Sequence, residues 1–85
     1  MKIILPSERV MALVKKRGLT ESFDKQTKLL GANLQHPSLN VERLEPRLLG
    51  LYSFRVSRQF RGIFFFILEE ESIKIVDVIN NSRRA

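Results

Sequence analysis

Two arginines, Arg55 and Arg61, are the residues whose type and spacing most directly suggest chemistry. They lie symmetrically about Arg58 inside the segment 51–68, LYSFRVSRQFRGIFFFIL, in which two alternating apolar runs flank a polar Ser-Arg-Gln turn. This pattern predicts a β-hairpin. A turn centred on Arg58 pairs Arg55 directly with Arg61 on one face of the sheet. Because facing like charges destabilise a sheet, the pair indicates an anionic ligand.

The opposite face of this hairpin is predicted to be a hydrophobic core. Side chains alternate between faces along a strand, so the arginines share their face with Ser53 whereas the other face is apolar. A turn of even length would shift the register by one residue and mix the two sets. The residues expected on the core face are Tyr52, Phe54, Val56, Phe60, Phe64 and Phe66.

The composition is that of one globular domain, residues 1–85. Hydrophobic residues make up 44% and charged residues 28%, which is typical of a folded chain. The net charge of +6 indicates an anionic partner. That partner could be nucleic acid, a membrane surface or an acidic protein. The chain has no cysteine and one histidine, so we expect neither disulfides nor a zinc site. No apolar run approaches the roughly 20 residues that span a bilayer, and we expect a cytoplasmic protein.

The elements that must position the arginines follow from apolar periodicity and helix-end signals. Ser7 is predicted to cap a helix that Gly18 ends, and Thr20 or Ser22 to cap a second helix that runs to about Leu34. The resulting β-α-α-β-β-β order places a helical hairpin on one face of a mostly antiparallel sheet, an α+β two-layer fold. The remaining predicted segments are a strand at Ile3–Leu5, a loop at His36–Leu39, an irregular connector at Asn40–Leu49, an acidic turn at Glu69–Glu71 and a strand at Ile73–Ile79, in which Val76 and Val78 alternate against Ile75 and Asp77.

An arginine-lined sheet face suits phosphate, because a guanidinium donates two parallel hydrogen bonds and stays charged. In RNA cleavage by 2′-oxygen attack, arginines stabilise the charge that gathers on the phosphate, while a base and an acid move protons. Glu42 and His36 are the plausible proton carriers. Plainer interpretations stay open: the arginines pair with Glu42, Glu45 or Asp77, and His36 is only a loop residue. The basic run at 15–17 either binds phosphate or forms a solvated helix face.

Several motifs between residues 34 and 78 form a set. They are His36-Pro37-Ser38-Leu39, Glu42-Arg43-Leu44, Gly50-Leu51-Tyr52-Ser53-Phe54-Arg55-Val56, Phe60-Arg61-Gly62-Ile63-Phe64 and Ile75-Val76-Asp77-Val78. Together they resemble the RelE/ParE toxin superfamily, whose fold has the same β-α-α-β-β-β order. The resemblance implies the toxin of a type II toxin–antitoxin, or plasmid stabilization, module. It implies a RelE-like mRNA interferase that cleaves mRNA on the ribosome without metal or cofactor, inhibits translation and is neutralised by a cognate antitoxin.

The resemblance also implies roles for individual residues. Arg61 matches the arginine that supports the scissile phosphate, and Arg55 matches a basic residue on the preceding strand. Glu42 lies where YoeB-like members keep a general base, so these three residues would form the catalytic set. The further residues expected to contact RNA are Arg47, Arg58, Arg83 and Arg84.

The chain departs from the family's pattern at its C-terminus. Family members usually follow the last strand with a glycine, then a His or Arg that serves as acid, then a Tyr that stacks. The corresponding residues 79–85 read INNSRRA, with Asn81 about where the catalytic His or Arg would be. Two alternatives therefore stay open: a ParE-like toxin that inhibits gyrase, and a catalytically weak relative that only binds an antitoxin or RNA.

Overall fold

The structure is a computed structural model that describes residues 1–81; the predicted RNA-binding residues Arg83 and Arg84 lie outside the described residues. The α+β class and the β-α-α-β-β-β order are confirmed. An additional two-residue strand, β2, forms within the connector that the sequence predicts to be irregular. The elements are β1 (Lys2–Ile4), α1 (Glu8–Lys16), α2 (Thr20–Ala32), β2 (Glu42–Arg43), β3 (Tyr52–Arg55), β4 (Phe60–Ile67) and β5 (Ser72–Asn80).

The strands form one sheet in the order β1-β5-β4-β3-β2. β1 runs parallel to β5, and every other neighbouring pair is antiparallel. The predicted hairpin register is confirmed, because Arg55 lies opposite Arg61. The N–H groups of Val56 and Ser57 both donate to the Phe60 carbonyl oxygen, at 3.0 and 3.1 Å. The turn is therefore centred on residue 58, as predicted.

Both predicted helices form, and their ends follow local chemistry. The Ser7 hydroxyl accepts a hydrogen bond of 3.4 Å from a backbone N–H of the first turn and so caps α1. Gly18 has φ +70°, a left-handed conformation that glycine adopts without steric cost, and it ends α1. The predicted cap of α2 is wrong: Leu19 occupies that position without a side-chain bond, and the Ser22 hydroxyl donates to the Leu19 carbonyl. Within residues 1–81, neither helix is long and apolar enough to cross a membrane.

The helices pack on one face of the sheet and bury the apolar side of the hairpin. The Phe54 and Phe64 rings are fully buried, with centroids 5.9 Å apart. Gly62 leaves room for the Phe54 ring, which a Cβ at that position would meet. Tyr52 and Phe66, also predicted on this face, are partly buried at the margin of the core. The buried apolar residues of the core cluster are Val14, Leu19, Phe23, Leu30, Leu39, Phe54, Val56, Phe60, Phe64, Ile73, Ile75 and Val78.

β5 departs from the alternation that the sequence predicts. Strict alternation would place Ile75 and Asp77 on one face, and Val76 and Val78 on the other. The ladder to β4 skips Val76, which makes this residue a β-bulge. Ile75 and Val78 therefore both reach the core, while Val76 and Asp77 are exposed.

Candidate active site

The outer face, the sheet face opposite the helices, carries the two predicted arginines. Its side chains form two neighbouring rows, because directly paired residues point to the same side of a sheet. The row nearest the β3–β4 turn contains Arg55, Arg61 and Ile79. The next row contains Glu42, Ser53, Ile63 and Asp77. The structure therefore brings the three predicted catalytic residues onto one face, in adjacent rows.

Arg61 is the fixed member of this site, with only 8% of its surface exposed. Its Nε donates to the Ser53 Oγ at 2.9 Å, and its Nη2 donates to the carbonyl oxygen of Asn40. Asn40 has a left-handed backbone, φ 45°, where the chain turns toward β2. The Arg61 side chain thus ties β4 to β3 and to the loop that leads into β2.

The charge of Arg61 is held in a partly desolvated setting. Burial lowers the pKa of the Arg61 guanidinium, the nearby Glu42 carboxylate raises it, and Arg55 lowers it. An arginine keeps its proton at neutral pH, so the lowered pKa reflects the cost of burying a positive charge. The hydrogen-bond partners of Arg61 are a hydroxyl and a carbonyl, not the local carboxylates of the plainer interpretation. Neither of these hydrogen-bond partners carries a charge that would neutralise the guanidinium.

Arg55 differs from its register partner because its side chain is exposed. Its backbone is fixed from the helical layer: the buried Gln26 on α2 donates from Nε2 to the carbonyl oxygen of Arg55 at 2.9 Å. The same Nε2 donates to the Ser38 carbonyl oxygen at 3.2 Å. Arg55 thus combines an anchored backbone with an accessible guanidinium.

Glu42 is exposed on the edge strand β2, opposite Ser53. Its carboxylate lies close enough to Arg61 to raise the pKa of that guanidinium. Glu42 and Arg61 are thus neighbours in space as well as in the rows of the outer face. This arrangement places a carboxylate beside the buried cation, as a proton acceptor next to a bound phosphate would require.

The predicted RNA-contacting residues in the described part of the chain are not brought together. Arg47 lies on an exposed turn between β2 and β3, where its carbonyl oxygen accepts from the Arg43 Nη2 at 2.9 Å. Arg58 is exposed at the tip of the β3–β4 turn. These two arginines stand beyond opposite ends of β3, on either side of the site.

His36, the other proposed proton carrier, has a structural role. Its Nδ1 accepts a hydrogen bond of 3.1 Å from the Ser38 N–H and caps the short 3₁₀ turn Pro37–Leu39. The structure therefore favours the interpretation of His36 as a loop residue.

Three residues that organise the site have no assigned role in the sequence interpretation: Ser53, Asn40 and Gln26. Gln26 lies one turn after Phe23 and one turn before Leu30, on the buried side of α2. A polar residue within the apolar stripe of a helix is the sequence signal that could have identified it. Ser53 lies on the arginine face by alternation, which places its hydroxyl near Arg61. Asn40 contributes only a backbone carbonyl, for which residue type carries no signal.

No protein-family model matches the chain, and no curated protein matches it. Solved structures do match. A chain of the archaeal RelE–RelB complex from Pyrococcus horikoshii OT3 has a TM-score of 0.75 at 17% identity, covering 96% of both chains. The YoeB/ParE toxin from Agrobacterium tumefaciens has a TM-score of 0.74 at 12% identity, covering 94% of this chain and 98% of the toxin. A chain of the YoeB–YefM complex from Staphylococcus aureus has a TM-score of 0.68 at 20% identity, covering 92% of this chain and 93% of that one. The chain thus has the fold of RelE-like and YoeB-like toxins, which confirms the resemblance at the level of fold.

Proposed function

We propose that this chain is the toxin of a type II toxin–antitoxin system and a metal-free, ribosome-dependent mRNA endoribonuclease that inhibits translation in the cytoplasm. The likeness to structures named YoeB, ParE and RelE supports the toxin assignment. The observation that carries the endoribonuclease assignment is the placement of Glu42, Arg55 and Arg61 on one outer face, with Arg61 held rigidly.

In the proposed reaction the 2′-oxygen of one nucleotide attacks the adjacent phosphorus. Glu42 accepts the proton of the 2′-hydroxyl, the new P–O bond forms, and the bond to the 5′-oxygen breaks. The products are a 2′,3′-cyclic phosphate and a 5′-hydroxyl. Preorganised donors stabilise most strongly the charge that develops in the transition state. Arg61 supplies a cation set in place before RNA binds, and Arg55 supplies an accessible one.

The leaving 5′-oxygen also needs a proton. The two outer-face rows contain two carboxylic side chains, Glu42 and Asp77. Glu42 serves as the base in this reaction, and the Asp77 carboxylate accepts a 2.8 Å hydrogen bond from the Val78 N–H. We propose that water protonates the leaving oxygen and that the hydroxide so formed takes up the proton that Glu42 has accepted, which restores the Glu42 carboxylate. Because a positioned general acid contributes about 10²–10⁴-fold, we expect cleavage to be slow for an enzyme of this kind.

Induced expression with primer-extension mapping of mRNA 5′ ends tests this function. The wild type is expected to arrest growth and to produce new ends within translated messages. Glu42→Gln keeps the side-chain shape but removes the base, so the ends should fall by about 10²–10⁴-fold. Glu45→Gln, which removes an exposed carboxylate outside the two rows, is the matched control and should behave as wild type. Undiminished cleavage by Glu42→Gln and Arg61→Lys would overturn the proposed site.

A second candidate is a gyrase-inhibiting toxin with no nuclease chemistry. The residue that favours it is Asn81, an amide directly after β5 whose backbone N–H donates to the Gln59 carbonyl oxygen at 2.6 Å. An amide does not exchange protons as a His does. Gyrase-dependent DNA damage with intact mRNA would select this candidate, whereas harmless overexpression would select a relative that only binds an antitoxin or RNA.

We further propose a cognate antitoxin as the protein partner. The structures from S. aureus and P. horikoshii are complexes of YoeB with YefM and of RelE with RelB. A net charge of +6 favours an acidic partner, and the exposed Leu48 and Leu49 provide apolar contact surface. A small acidic protein encoded beside this gene should abolish growth arrest when it is co-expressed.

A further inference from the structure

A groove at the end of the sheet lies beside the outer face but is not part of it. Its volume is about 810 Å³, and its walls include Arg17 from the end of α1 and Arg58 from the β3–β4 turn. Leu19 and Phe60, both nearly buried, form an apolar floor. The groove has the size of an ordinary ligand pocket, about 300–1,000 Å³.

The fold holds both walls of this groove in place. Arg17 is the C-cap residue of α1, and its N–H donates to the Leu13 carbonyl at 2.9 Å. The β3–β4 turn is fixed by the Ser57 hydroxyl, which accepts from the N–H groups of Gln59 and Phe60 at 3.4 and 3.2 Å. The two arginines are therefore presented from anchored backbones, although their side chains are exposed.

The charges around the groove favour an anion. No acidic residue is among the groove's lining residues in the described part of the chain, whereas two arginines are. Two guanidinium groups across one groove repel each other unless a negative group lies between them. Each guanidinium can hold a phosphate with two parallel hydrogen bonds.

The β3–β4 turn, which lines the groove, directly follows the outer-face pair Arg55 and Arg61 in the hairpin. Arg55 and Arg61 form the last ladder pair before the β3–β4 turn, and Arg58 stands at the tip of that turn. A chain bound at the outer face that passes over the turn would meet Arg58 and then Arg17. The pair Arg55 and Arg61 thus lies at one side of this turn, and Arg17 and Arg58 line the groove at the turn itself.

We propose that this groove binds a backbone phosphate of the RNA strand whose scissile phosphate lies at Arg61. This inference rests on the proposed function and adds the course of the substrate: the strand leaves the outer face over the β3–β4 turn and enters the groove of Arg17 and Arg58. Two arginines at the groove and two more at the neighbouring outer face favour a polyanion with several phosphates over a single free phosphate. This course of the strand also gives a binding role to Arg17, one residue of the basic run at 15–17.

Binding of uncleavable RNA tests this inference. In fully 2′-O-methylated RNA the attacking oxygen is blocked, so anisotropy titrations across a range of salt concentrations report binding alone. Arg17→Gln and Arg58→Gln should each weaken binding of a long oligonucleotide by about fivefold and lower the slope of log K against log salt by about 0.7. For a dinucleotide, which we expect at the outer face alone, Arg17→Gln should bind as the wild type does. Arg9→Gln, at the other end of α1 about 12 Å away, is the matched control.

Groove variants whose salt slope equals that of Arg9→Gln would overturn the inference. Inorganic phosphate that competes as well as the oligonucleotide would also overturn it, in favour of a free-phosphate pocket. Polyglutamate that displaces RNA only when both groove arginines are present would overturn it in favour of an acidic protein. Cleavage measured with Arg61→Lys and Glu42→Gln tests the proposed function separately, because the groove variants retain both of those residues.

Discussion

The two faces of the β3–β4 hairpin share one alternating pattern but differ in what their buried residues require. On the core face Phe54 and Phe64 are fully buried within the hydrophobic core cluster. On the outer face Arg61 is also largely buried, but its donors are matched to Ser53 and Asn40. Burial of an apolar ring needs shape alone, whereas burial of a cation needs partners at specific positions. Alternation therefore identifies the face on which a residue lies but not how deeply it is buried.

The core face should show the largest effect of substitution. Phe54→Ala removes a fully buried ring and leaves a cavity beneath Gly62, which should lower the free energy of unfolding by about 3–5 kcal/mol. Urea unfolding followed by circular dichroism measures this loss. Leu48→Ala is the control, because the Leu48 side chain is exposed and its loss should change stability by less than about 0.5 kcal/mol. A loss for Phe54→Ala no greater than for Leu48→Ala would contradict the core assignment.

The outer face should show an intermediate effect at Arg61. Arg61→Ala leaves the Ser53 hydroxyl and the Asn40 carbonyl without their partner, which should cost about 1–3 kcal/mol in the free energy of unfolding. Loss of the proposed toxicity in this variant alone would therefore not separate the proposed catalytic role of Arg61 from its role in folding. Arg61→Lys retains the charge and one donor group, and it should be the more stable of the two. Equal stability of Arg61→Ala and wild type would show that the hydrogen bonds of Arg61 contribute nothing to the fold.

Local patterns in the sequence predict most of the fold, because its signals are short-range. The odd-length turn sets the pairing of Arg55 with Arg61, and Gly18 ends α1 through its own backbone conformation. Two features were not predicted. The strand β2 has only two residues, too few to show an alternating pattern. The bulge at Val76 lies in an apolar run, in which the pattern does not show which residues face the core.

For the candidate site, the sequence predicts that Arg55 and Arg61 share one face, but it does not predict the environment of either residue. Register places Arg61 and Ser53 on one face, so their proximity follows from the hairpin. The burial of Arg61 depends on the Asn40 carbonyl, 21 residues away in the chain. Contacts of this length arise from the tertiary arrangement, since no local pattern encodes them. The same holds for Gln26, whose amide reaches the Arg55 carbonyl across 29 residues.

The smallest effect on stability is expected at Arg55, and it provides the most direct test of the difference between the register partners. Arg55→Ala removes an exposed side chain, so the free energy of unfolding should change by less than about 0.5 kcal/mol. Because Arg55 lowers the pKa of Arg61 by repulsion, the change should be toward greater stability. A double-mutant cycle with Arg61→Ala, which removes the charge of Arg61, isolates this repulsion. A destabilisation by Arg55→Ala as large as that by Arg61→Ala would show that both arginines are structural, and that the exposed guanidinium is not available to a ligand.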